Sequence, residues 1–242
     1  MMRIDIVKDY GKLSRKAARF VAGFVEINPQ ASLGLPTGST PLGMYERLIK
    51  IYNETELDFS GIRTFNLDEY IGLDRDHPRS YYSYLKEHFT GQVNLEPANT
   101  NFIDGNAADW EQECLRYESK IQEAGGIDLM ILGIGRNGHI GFNEPAKSLA
   151  TKTHKVDLAQ ETLNANSRFF ESEEKMPKKA LTMGVGTILK ARNILLLANG
   201  NSKALAVDKF INGEISTEFP ASLLHTHLAV RVIIDHEAAE KI

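Results

Sequence analysis

The feature that most constrains this chain is a rhythm of short apolar runs, each closed by a turn and followed by apolar residues at helical spacing. Arg3 to Val7, Ala31 to Leu35, Ile62 to Leu67, Ile127 to Leu132, Ile194 to Ala198 and Leu228 to Ile234 read as strands. Asn101 to Ile103 and Ala180 to Val185 are shorter strand readings. Between them, Leu13 to Ile27, the stretch through Met44, Tyr45, Leu48 and Ile49, a segment opened by Ser80 as cap, Ala107 to Ala124, and the stretch through Ala204, Val207 and Phe210 carry helical periodicity. Strands alternating with helices predict a doubly wound α/β fold, a mostly parallel sheet with helices on both faces. Residues 1–242 are expected to form a single domain, with the polar stretch at about residues 150–180 as a candidate lid and Thr162 to Phe170 in it helical.

Composition narrows the partners. With 28 basic and 32 acidic residues the net charge is −4, so no electrostatic footprint for nucleic acid or an acidic membrane exists. Cys114 is the single cysteine, which excludes an intrachain disulfide and a cysteine metal cluster. The first residues lack an apolar signal core and no run is long enough to span a bilayer, so the expectation is a cytoplasmic protein acting on a small molecule.

In a parallel sheet, ligands sit beyond the carboxyl ends of the strands. The turns after Leu35, Leu67, Leu132 and Ala198 all lie there, and are expected to share one cleft. Thr37-Gly38-Ser39-Thr40-Pro41 joins a strand to a helix, with Thr40 read as the cap and Pro41 as the first helical residue. The unpaired N–H groups and positive helix end there suit a phosphate. Lys203, at the start of the helix after Asn199-Gly200, either reaches the same anion or is an ordinary solvated helix-start lysine. Asp68, at a strand end, is a candidate base.

Leu132 to Pro145, LGIGRNGHIGFNEP, is the densest polar turn. Gly133, Gly135 and Gly138 match G-x-G-x-x-G formally, but that fingerprint needs a helix at the turn, and the run ending at Pro145 leaves no room for one. A metal site fares no better, because His139 and Glu144 have no second His or Cys at ligand spacing. His139 can move protons near neutral pH and Glu144 can orient it. A base, a His-Glu pair and a phosphate turn suit proton transfers on a sugar phosphate. The alternative is a structural turn with a satisfied histidine.

Four motifs in order, LGLPTGSTP (Leu33 to Pro41), NLDEY (Asn66 to Tyr70), the Leu132 to Pro145 turn and NANSRFF (Asn164 to Phe170), resemble the glucosamine-6-phosphate deaminase family, and the likeness runs from about Ala31 to the C-terminus. The resemblance implies conversion of glucosamine 6-phosphate to fructose 6-phosphate and ammonia, with neither an organic cofactor nor a catalytic metal. It implies Asp68 as the C2 base, and His139 as the ring-opening group supported by Glu144 and Asn137. Thr37, Gly38, Ser39, Thr40, Arg168 and Lys203 are implied as the phosphate holders. Some members carry Asp where this chain has Asn137, and an amide there would accept a hydrogen bond from His139 without adding charge. Allosteric members use basic residues after the central turn and a longer C-terminus. Thr153-His154-Lys155-Val156-Asp157 and the end at Ile242 lead to the expectation of a non-allosteric monomer or low-order homo-oligomer. Two other functions stay open: a phosphogluconolactonase of related fold, and a sugar-phosphate sensor.

Overall fold

The computed structural model describes residues 2–160, 162–163, 170 and 176–242. Its main elements are β1 (Arg3–Val7), α1 (Tyr10–Ile27), β2 (Ser32–Leu35), α2 (Ser39–Glu54), β3 (Arg63–Asn66), β4 (Asp68–Tyr70) and α3 (Tyr81–Leu85), then β5 (Thr100–Asn101), α4 (Trp110–Glu123), β6 (Leu129–Gly133), β7 (His154–Asp157) and β8 (Lys179–Thr182). The chain closes with α5 (Val185–Leu189), β9 (Asn193–Ala198), α6 (Ala204–Asn212) and β10 (Val230–Asp235). Seven strands form one sheet in the order β1-β10-β9-β6-β2-β3-β5, and every pairing in it is parallel.

Alternation along the strands decides which helix each residue meets. Leu129 and Ile131 of β6 and Leu195 and Leu197 of β9 pack with Leu13, Ala17 and Val21 of α1 and Met44, Tyr45 and Leu48 of α2. Their neighbours Met130, Leu132, Ile194 and Leu196 face the other way, onto Tyr117 and Ile121 of α4, Ile188 of α5 and Phe210 of α6. Both faces are therefore covered, and the strands read as unbroken apolar runs for that reason. Among the described residues, no helix is long and apolar enough to cross a membrane.

The direction in which the chain winds across the sheet changes between β2 and β6, which are adjacent and parallel. From β2 the chain steps toward the β3 and β5 edge, whereas from β6 it steps toward β9. The turns leaving these two strands part at their carboxyl ends and open a crevice between them.

The structure adds a second sheet that the sequence reading does not separate. Asp68 to Tyr70 is not the tail of β3 but its own strand, in the order β4-β8-β7 with both pairings antiparallel. Ala180 to Thr182, read as one more strand of a single sheet, belongs here. β7 lies in the stretch read as irregular, because His154-Lys155-Val156-Asp157 alternates exposed and half-buried residues with a single apolar member. Both ends of the candidate lid are thus anchored by strand pairing. The helix expected over Thr162 to Phe170 falls mostly on residues outside the described ones.

The site end of the fold is braced from below by Tyr117, whose fully buried hydroxyl donates to the Asn66 carbonyl at 2.8 Å and also meets Asn66 Oδ1 at 2.9 Å. Asn66 in turn donates through Nδ2 to the Asp68 carbonyl at 2.7 Å. Tyr117→Phe is expected to lower unfolding free energy by about 1 kcal/mol, the usual net worth of such a bond, as a shift in urea midpoint with unchanged slope.

Candidate active site

The turn after β2 is built on Gly38, whose φ of 101° only glycine adopts comfortably. Gly38 is the N-cap of α2 and offers no side-chain bond, so the expected cap at Thr40 is corrected: the helix already begins at Ser39. The Thr40 hydroxyl donates instead to Asn199 Oδ1 at 2.7 Å, tying the turn after β2 to the turn after β9 that leads to Lys203. Those two turns meet, as expected. Arg168 lies outside the described residues.

On the other side of the turn, the side chains of Thr37 and Tyr81 share a hydrogen bond, and the Tyr81 hydroxyl also donates to the Tyr70 hydroxyl at 3.2 Å. Tyr81 feels the charge of Asp68 as well. Tyr81 lies just inside the segment that Ser80 opens, and its polar end links Thr37 to the neighbourhood of Asp68. The α3 helix that presents it is capped twice, by Ser80 Oγ accepting from Ser83 N–H and by Glu69. Glu69 Oε1 and Oε2 accept from the N–H groups of Tyr81 and Tyr82, both at 2.9 Å. A carboxylate on a helix N-terminus is favourable, and nothing in the pattern of NLDEY distinguishes this duty from a surface acid.

Asp68 is 6% exposed, and among the described residues no cation or hydrogen-bond donor meets its carboxylate. Burial, then the adjacent Glu69, pushes its pKa up from 3.8 to about 8. Glu69 rises to about 7, again through burial first, with its three backbone N–H bonds opposing and Asp104 adding to the rise. Asp68 is paired with Thr182 across the small sheet. A side chain on Gly141 would touch Thr182 Oγ1 at 3.0 Å and Asp68 Oδ2 at 3.5 Å, so the central turn passes directly over the carboxylate. Phe142 N–H donates to Thr182 Oγ1 at 3.1 Å, and Asn143 Nδ2 to the carbonyls of Ile140 and Met183, which holds the turn there.

Within that turn His139 Nδ1 faces Glu144 Oε1 at 3.3 Å. The ring lies flat on Gly135, where any β-carbon would collide with it. Glu144 Oε1 also accepts from the Thr162 hydroxyl at 2.5 Å, and Oε2 from Asn137 Nδ2 at 2.7 Å. Burial works against the Glu144 charge, but His139, Thr162 and Asn137 outweigh it and hold the carboxyl below its ordinary value. Asn137 therefore meets Glu144 rather than the imidazole; its Oδ1 accepts from the His139 backbone N–H, at 3.2 Å. This corrects the expectation of an amide bonded to the ring. Among the described residues no group of three or more His, Cys, Asp or Glu is placed to hold a metal.

The arrangement brings together a helix-opening turn able to take an anion, a buried carboxyl of raised pKa on β4 and a His-Glu pair on the central turn. Residues 10–233 match the model of a family described as glucosamine-6-phosphate isomerases/6-phosphogluconolactonase. The chain is 55% identical over 238 residues to a glucosamine-6-phosphate deaminase of Halothermothrix orenii, covering 98% of this chain and 99% of that one. A solved monomeric glucosamine-6-phosphate deaminase superposes with a TM-score of 0.97 at 48% identity over the whole of both chains. The 6-phosphogluconolactonase of Trypanosoma cruzi, at 20% identity and a TM-score of 0.77 over 100% of this chain and 97% of that one, shares the fold alone.

Asn137→Asp tests the hydrogen-bond assignment. It removes the donor on Glu144 Oε2 and sets a like charge against it, so the Glu144 carboxyl should titrate at higher pH in the variant. Carboxyl-carbon NMR titration reads this directly, and an unmoved Glu144 would contradict the bond.

Proposed function

The chain belongs to the family of glucosamine-6-phosphate isomerases and 6-phosphogluconolactonases, and from that premise we propose that it converts D-glucosamine 6-phosphate and water to D-fructose 6-phosphate and ammonia. It does so as a cytoplasmic monomer of amino-sugar catabolism. The phosphate sits on the N-terminus of α2, held by the backbone N–H groups at Gly38, Ser39 and Thr40 and the Thr37 and Ser39 hydroxyls, with Lys203 and Arg168 supplying positive charge.

His139 carries the anomeric hydroxyl proton to the ring oxygen and opens the pyranose, with Glu144 and Asn137 fixing its ring and charge. In the open chain the aldehyde at C1 acidifies the C2 proton. Asp68 takes it; the C2–H electrons form the C1–C2 double bond, O1 takes up the proton that the C2 ammonium gives up, and a neutral enolamine results. Asp68 returns its proton to C1 as the nitrogen lone pair forms the C2–N double bond, leaving an iminium at C2. Water adds there and ammonia departs, so the atoms balance without a redox step.

The observation that carries this reading is the buried Asp68. A carboxylate attacks carbon acids better as its pKa rises toward the working pH, and burial supplies that rise. The substrate ammonium at C2 then favours the ionised base once bound. Incubation with glucosamine 6-phosphate, following ammonia and fructose 6-phosphate together, tests the activity; lactone hydrolysis without ammonia release would sink it.

Asp68→Asn should lower kcat by about 10²–10⁴-fold, the range for a general base, with KM nearly unchanged. In the parent enzyme kcat/KM should rise with pH until about 8, where Asp68 becomes ionised in the free protein. The kcat profile should turn at lower pH, because the bound ammonium stabilises the carboxylate.

Stability has the opposite dependence. The Asp68 pKa is raised on folding from 3.8 to about 8, so its contribution is intact below about pH 4 and is lost as pH climbs to about 8. Asp68→Asn escapes that loss. Thermal midpoints of the two proteins should be similar near pH 4 and diverge by several degrees in favour of the variant by pH 8.

A further inference from the structure

Three tyrosine hydroxyls converge on the carbonyl groups of the turn after β2. Tyr45 donates to the Pro36 carbonyl at 2.7 Å, Tyr84 to Gly38 at 2.6 Å and Tyr10 to Ser39 at 2.8 Å. They come from α2, α3 and α1, so three helices contribute to one turn. Tyr10 does more: its oxygen also accepts from the Gly43 N–H at 2.8 Å. Ser39 C=O and Gly43 N–H are an i, i+4 pair of the first turn of α2, and the Tyr10 phenol contacts both. Gly43 leaves the room, since a β-carbon there would sit 3.0 Å from the Tyr10 oxygen.

Because a trans peptide is planar, fixing its C=O fixes the N–H on the opposite edge. Tyr45 thereby sets the Thr37 N–H, Tyr84 the Ser39 N–H and Tyr10 the Thr40 N–H. Gly38 is the weak point: at φ 101° with no side chain, the peptides beside it rotate easily, and a flip would turn a carbonyl dipole toward the anion. We propose that Tyr10 and Tyr84 are positioning residues for phosphate, locking the peptides after Gly38 and Ser39 with their N–H groups toward the ligand. Burial and the neighbouring Tyr10 push the Tyr84 pKa upward, so the hydroxyl stays a donor across the working range.

The inference rests on the phosphate reading of this turn, so the probe is inorganic phosphate, titrated by calorimetry into the full-length protein at a temperature where each variant is folded by circular dichroism. Tyr10→Phe and Tyr84→Phe involve half-buried rings and remove one oxygen each. Each should weaken phosphate binding about tenfold, equivalent to about 1.4 kcal/mol, and raise KM for glucosamine 6-phosphate alike, with kcat within about twofold of the parent. Unchanged phosphate affinity in both folded variants, or a loss confined to kcat, would overturn the positioning role while leaving the proposed reaction intact. Failure of the parent protein to bind phosphate would remove the premise and the inference with it.

Discussion

Both faces of the seven-stranded sheet are covered by helices, and this one constraint drives every polar group of consequence to the strand ends. Ile131, at the middle of the sheet, is fully buried among residues of α1 and α2, and a polar side chain in its place would lose water without gaining a partner. Backbone pairing satisfies the strands along their length, so polar side chains gain nothing in the middle. At the carboxyl ends of this sheet pairing stops, and there Thr37 and Thr40 find partners across turns, on Tyr81 and Asn199, while His139 faces Glu144 within its own turn.

Much of this was legible. Apolar runs ending in Gly-Ser-Thr, Asp-Glu and Gly-Asn clusters locate β2, β3, β6 and β9 to within a residue or two, and the parallel arrangement follows from helices lying between them. The antiparallel sheet was not legible. β7 has a single apolar residue, so its period resembles a loop, while the run Ala180 to Val185 has the same pattern whichever sheet it joins. Glu69 escapes a sequence reading because a carboxylate that caps a helix twelve residues downstream leaves no local mark. The Thr40 cap is misplaced for a definite reason: Gly38, not Thr40, bends the chain, and the hydroxyl is used across to Asn199.

The small sheet organises the acids. β4 carries Asp68, β8 sets Thr182 beside it and beneath Phe142, and β7 leads to the segment whose Thr162 reaches Glu144. Antiparallel pairing brings residues distant in the chain, such as Asp68 and Thr182, face to face at fixed register.

One difficulty faces any site that places a carboxylate base beside a phosphate: the two repel in a medium of low dielectric. Burial of Asp68 removes much of it, since with a pKa of about 8 the acid is mostly neutral when a phosphate approaches at neutral pH. An amino sugar then brings its own cation to C2, next to the atom that must lose a proton, and that cation favours ionisation of the acid it meets. A neutral sugar phosphate lacks this charge and leaves Asp68 protonated. In the proposed reaction, the same desolvation that weakens the fold at high pH would thus favour a substrate that brings a cation to restore the charge on Asp68.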